Sequence, residues 1–148
     1  MSVLGELQPN KVFKYFEEIC SIPHGSRNLQ QISDYLVDFA KAHELKYRQD
    51  EDLNVIIWKD GSKGYEASEP VILQGHMDMV AVKEADCDKD MEKEGLDLEI
   101  NGDYISAKGT SLGGDDGFAV AYTLAVLDDE EMAHPPIEAI FTDRKSVV

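Results

Sequence analysis

Apolar residues recur at helical spacing at Val12, Phe16, Ile19 and Cys20, with Pro9 near the start and Pro23 beyond the end. This one-sided pattern predicts a helix over about 9–21. After the turn-rich 23–28 (PHGSRN), a second stripe of Leu29, Ile32, Leu36, Phe39 and Ala40 predicts an amphipathic helix to about Glu44. Two one-sided helices need a sheet to cover. The segments 53–59 (LNVIIWK) and 71–75 (VILQG) supply strands, the second reading as buried, and the Gly/Ser/Glu-rich 60–70 between them reads as a solvated hairpin loop.

Farther on, the alternation in 96–109 (LDLEINGDYISAKG) around Asn101-Gly102 is a two-residue hairpin signal. Residues 117–129 (GFAVAYTLAVLDD) are apolar nearly all round, which suits a helix buried against a sheet, and 137–141 (IEAIF) after Pro135-Pro136 makes a last strand. Strands alternating with helices predict an α/β layered sandwich, a mixed sheet flanked by helices, with no internal repeat or linker.

Composition adds limits. At 148 residues, with 43% hydrophobic and 30% charged content, the chain can bury the core of one domain. Its 14 basic and 30 acidic residues give a formal charge of −16, which repels phosphate backbones and anionic bilayers, so neither nucleic acid nor membrane is an expected partner. No secretory leader opens the chain and no apolar run approaches the ~20 residues of a membrane span, so the expected location is the cytoplasm. Cys20 and Cys87 fit no metal or redox spacing and read as reduced thiols.

Candidate chemistry begins at the end of the second strand. Within 71–80 (VILQGHMDMV), His76 and Asp78 lie two residues apart, and side chains at that spacing in a strand share a side. Imidazole is a good zinc ligand, and a nearby carboxylate can fix its orientation and tautomer. The tripeptide alone equally fits a satisfied histidine at a strand end. Thirty-nine residues on, 109–121 (GTSLGGDDGFAVA) sets Asp115 and Asp116 in a glycine-rich turn ahead of a buried helix. Such a turn is either a capped helix start or a cation site; adjacent carboxylates and the lack of Gly-Lys-Ser/Thr argue against phosphate. A third candidate, Asp86, Asp88, Asp90 and Asp97, approaches calcium-loop spacing but has Met91 at the glycine position and Asp97 at the glutamate position, so it reads as a solvated acidic face.

With 71–80 and 109–121 in this order and at this spacing, the sequence resembles the aminoacyl-histidine dipeptidases, zinc exopeptidases also called Xaa-His or β-alanyl-histidine dipeptidases. The likeness runs from 17–28 (EEICSIPHGSRN) through 34–45 (DYLVDFAKAHEL) and 54–59 (NVIIWK) to 127–142 (LDDEEMAHPPIEAIFT). It implies the catalytic domain of that family, two zinc ions, and metal-assisted hydrolysis of small carnosine-like dipeptides with a glutamate as general base. By position it makes His76 a ligand of one zinc, Asp115 the carboxylate bridging both, and Asp78 the residue that orients the histidine. Where the family reads Gly-Ala-Asp-Asn-Gly, this chain has Gly113-Gly114-Asp115-Asp116-Gly117. A homodimer of the full-length protein stays open.

At the end of the chain the likeness breaks. Lys145 and Ser146 stand where the family has the general-base glutamate and a ligand glutamate. The string 143–148 (DRKSVV) is what GAT CGG AAG AGC GTC GTG encodes, which looks like a sequencing adapter. The expectation is that 1–142 is the N-terminal portion of the catalytic domain and 143–148 a non-native tail. The lid domain would then be absent and this chain inactive by itself. The alternative is a non-catalytic binding or regulatory protein on a peptidase scaffold, with Lys145 and Ser146 native.

Overall fold

The helical stripes close on one core. In the computed structural model, which describes residues 2–143, α1 (Asn10–Cys20) buries Val12, Tyr15, Phe16, Ile19 and Cys20, and α2 (Gln30–Ala42) buries Ile32, Leu36, Val37, Phe39 and Ala40. Each set repeats at three and four residues, so it forms one stripe facing inward. The nearly all-apolar segment is α3 (Gly114–Asp128), whose first residues Asp115 and Asp116 depart from helical geometry. Phe118 of α3 stacks on Phe16 of α1 with ring centroids 3.9 Å apart.

Two strands flank the central one. The four-stranded sheet contains β1 (Lys46–Gln49), β2 (Val55–Lys59), β3 (Val71–His76) and, after the short hairpin of β4 (Leu98–Asn101) and β5 (Tyr104–Ala107), β6 (Ile137–Thr142), in the order β1-β2-β6-β3. β2 pairs antiparallel and β3 parallel with β6, so the sheet is mixed. The expected hairpin over 60–70 does not form, because β6 lies between β2 and β3. The reason is packing: β6 buries Ile137, Ala139 and Phe141 on one face, and a strand with that much apolar area is best placed with neighbours on both edges. β3 is correspondingly not the buried strand expected. Val71 and Ile72 are exposed, and only Gly75 is fully covered.

β1 was not foreseen, since Lys46, Tyr47, Arg48 and Gln49 are all exposed and show no alternation. Backbone pairing with β2 makes it a strand. The β4–β5 hairpin forms as expected, with its turn one position later, at Gly102-Asp103. By register, Val55, Ile57, Ala139, Phe141 and Gly75 line one face, and this face meets the helices. α1 packs on α3, α3 on β3, and α2 on β1 and β2. Among the described residues no helix is long and apolar enough to cross a membrane.

Candidate metal centre

β3 and β6 run parallel and end together, with His76 opposite Thr142 and the Met77 N–H donating to the Thr142 carbonyl at 2.8 Å. The C-terminal edge of such strands is where open α/β sheets hold ligands. There the His76 Nε2 lies 3.1 Å from Asp115 Oδ1, although 39 residues separate them. Asp115 arrives through the turn that opens α3, where Gly113 has φ +73°. A side chain there would be strained, and its Cβ would sit 3.0 Å from both Cβ and Sδ of Met79. We therefore expect Gly113→Ala to lower stability by about 1–3 kcal/mol. A guanidinium chloride melt of the two proteins checks it; equal midpoints would show that the turn tolerates a side chain.

The other ring nitrogen faces Asp78. Nδ1 is 2.9 Å from the Asp78 carbonyl oxygen and 3.3 Å from its Oδ1. Asp78 reaches that position differently from the expectation, because β3 ends at His76 and the chain turns beneath the ring instead of continuing as a strand. The Asp78 side chain is only 4% exposed, whereas that of Asp115 is 94% exposed. The buried carboxylate can steer the ring and the exposed one is open to a ligand. His76, Asp78, Val80, Ser111, Gly113 and Asp115 line a cleft of about 300 Å³.

The electrostatics favour a cation. Burial of the His76 ring, the largest single influence, lowers its pKa. The hydrogen bond to Asp115, the Asp78 carbonyl and the charges of Asp78 and Asp116 outweigh it and raise the pKa above the ordinary histidine value. The carboxylates that raise it also attract a metal cation, which has to displace the proton from the ring to bind. Asp116 is not aimed at the cleft: its Oδ2 accepts the His76 backbone N–H at 3.3 Å and so ties the end of β3 to the start of α3.

The donor set fits zinc in part. Two ligands about 2.1 Å from one tetrahedral zinc lie roughly 3.4 Å apart, near the 3.1 Å between Nε2 and Oδ1. Among the described residues no group of three or more His, Cys, Asp or Glu side chains is placed to hold a metal ion. His76 and Asp115 are thus two donors that need others. Lys145 and Ser146, at the two glutamate positions, lie outside the described residues. The calcium-like loop offers less, because Asp90 pairs with Lys93 at 3.2 Å and Asp97 with Lys89 at 3.1 Å. A cleft of about 620 Å³ between the 25–28 turn and the 88–92 loop is larger than the one at His76. Two of its cations are occupied: Lys83 bonds the Lys89 carbonyl and Lys89 the Gly95 carbonyl.

One neighbour of the site had no signal in the spacing. Ser26, in the segment read only as a turn, donates its hydroxyl to Asp78 Oδ2 at 2.7 Å across 52 residues of sequence.

No family model matches the chain. The cytosol non-specific dipeptidase of Escherichia coli (strain K12) is 39% identical over 142 residues, 96% of this chain and 29% of that protein. The crystal structure of aminoacylhistidine dipeptidase from Vibrio alginolyticus superposes with a TM-score of 0.90 at 38% identity, covering 93% of this chain and 28% of that one. The chain is a homologue of these dipeptidases. It spans less than a third of the length of either. A Staphylococcus aureus tripeptidase, at 22% identity and a TM-score of 0.73, shares the fold. The α/β fold with its mixed sheet and flanking helices is therefore that of peptidase structures.

Proposed function

We propose that these residues supply one ligand and one bridging carboxylate to the dizinc site of a metallodipeptidase that cleaves Xaa-His dipeptides of the carnosine kind. The observation that carries the reading is the convergence of His76 Nε2 and Asp115 Oδ1 at 3.1 Å, with buried Asp78 behind the ring. Such a metal pair, when bound, supplies Lewis acidity and a nucleophile at neutral pH. His76 contributes a neutral nitrogen donor, and Asp115 two oxygens on an exposed side chain that can face two ions at once. Asp78 holds the proton on Nδ1, which leaves the Nε2 lone pair for the metal. Asp116 keeps the backbone under His76 fixed.

Homology to peptidases supports hydrolysis of small peptides. The names of the two relatives, one aminoacylhistidine-directed and one non-specific, make the carnosine-like substrate the finer part of the proposal. The cytosolic name of the E. coli relative supports a cytoplasmic location. Two donors fall short of the three protein ligands that a catalytic zinc takes, so residues 1–148 are proposed to be inactive alone.

The test is hydrolysis of β-alanyl-histidine with zinc, by the 148-residue chain and by a complete enzyme containing these residues. The expected outcome is no turnover by the former and chelator-sensitive turnover by the latter, faster than on dipeptides lacking a C-terminal histidine. Activity of the 148-residue chain would overturn the proposed inactivity. A complete protein inert towards every dipeptide would replace the peptidase reading with that of a binding protein.

A further inference from the structure

We infer that Ser26 is a positioning residue for the candidate zinc ligand His76, acting through Asp78; the inference rests on the metal reading above. Asp78 has two carboxylate oxygens with different work. Oδ2 accepts the Ser26 hydroxyl at 2.7 Å, and Oδ1 faces His76 Nδ1 at 3.3 Å. A hydrogen bond at one oxygen of a buried carboxylate restrains its terminal torsion and so favours the other oxygen's place under the ring. With the Asp78 carbonyl also 2.9 Å from Nδ1, that nitrogen faces two acceptors and carries the hydrogen. Nε2 is the nitrogen turned to Asp115, 3.1 Å away, and the one a metal ion would take once its own hydrogen is displaced.

The turn that brings Ser26 here is built for the contact. The Met79 N–H donates to the His24 carbonyl at 3.0 Å, and the Ser26 N–H donates to the Met79 carbonyl at 3.0 Å. These two bonds latch residues 24–26 alongside the chain just past Asp78, where Gly25 and Met79 form a parallel bridge. Gly25 lets the two segments meet, since a Cβ there would lie 2.9 Å from the Ala81 Cβ. His24 anchors the turn from below, 3% exposed, with Nδ1 2.6 Å from the Ile22 carbonyl, and burial lowers its pKa. Ser26 itself is exposed on its outer side, so removing its hydroxyl opens no cavity. What it loses is one hydrogen bond that holds Asp78.

The experiment compares Ser26→Ala and Ser26→Thr with wild type in a complete enzyme containing these residues, first freed of metal, in two ways. Zinc alone is titrated calorimetrically. The His76 ring nitrogens, assigned with His76→Gln, are read by 15N NMR at a pH where the ring is neutral. In wild type the hydrogen is expected on Nδ1. Ser26→Ala should show a second tautomer and bind zinc about tenfold more weakly; Ser26→Thr should restore both. Unchanged ring spectra and zinc affinity in Ser26→Ala would overturn the inference. If wild type takes up no zinc even from excess while the ring spectra respond as expected, the metal reading fails and the Ser26 relay stands. Should Ser26→Ala not fold, Ser26→Cys, a weaker donor of similar size, is expected to fall between wild type and full loss; wild-type ring spectra there would overturn the inference equally.

Discussion

Replacing His76 with alanine in a complete enzyme containing these residues is expected to lower kcat/KM on the order of 10³-fold or more, with Asp115→Ala at least as severe. Loss of a partner behind a ligand already costs about 10–100-fold in metal affinity or activity, and loss of the ligand costs more. Asp115 weighs at least as heavily because its side chain, at 94% exposure, has two oxygens that could face two ions. Asp78→Asn should fall in the 10–100-fold range, since the carbonyl contact to Nδ1 at 2.9 Å survives the change. Steady-state kinetics with metal content measured in parallel decide it. A His76→Ala enzyme with full zinc and near-normal turnover would remove His76 from the metal site.

The second large effect concerns the strand that places the site. Phe141→Ala is expected to destabilise the protein by about 3–5 kcal/mol, a large part of the roughly 5–15 kcal/mol that holds a domain folded. Phe141 is fully buried in β6, opposite Val55 on one side and Gly75 on the other. The space over that glycine is closed by α3, since a Cβ at Gly75 would lie 3.3 Å from the Ala119 Cβ and 3.5 Å from the Val120 Cγ2. The next residue, Thr142, pairs with His76, so slackening at 141 is felt at the candidate ligand. Urea denaturation followed by circular dichroism measures the loss. Tyr104→Ala, at a side chain 77% exposed, should stay within about 0.5 kcal/mol and serves as the control. A Phe141→Ala cost as small as the control's would mean that β6 is not the packing centre of the sheet.

The two candidate donors were visible in the chain as candidates because each follows a local signal. His76 stands where an apolar strand ends, and Asp115 stands where a glycine-rich turn meets a buried helix. Both follow from short-range rules, since strand termination and helix entry are set by a few neighbouring residues. Ser26 carries no such signal, because a serine in a turn is ordinary and its partner lies 52 residues away. β1 is the same case in the fold: four exposed residues with no pattern become a strand only because β2 offers an edge.

The two amphipathic helices, the buried α3 and the Gly102 hairpin were legible in the amino-acid sequence, because hydrophobic period and turn chemistry are local properties; His76, Asp78 and Asp115 stood out there only as candidates, whose roles the resemblance supplied. Tertiary structure alone decided the strand order β1-β2-β6-β3, which puts β6 between two strands that read as a hairpin and leaves Val71 and Ile72 on an exposed edge. It also decided the 3.1 Å approach of His76 to Asp115 and the hydroxyl behind Asp78. These are contacts between distant segments, and the free energy that selects them is the burial of Ile137, Ala139 and Phe141 in one shared core, which no single segment contains.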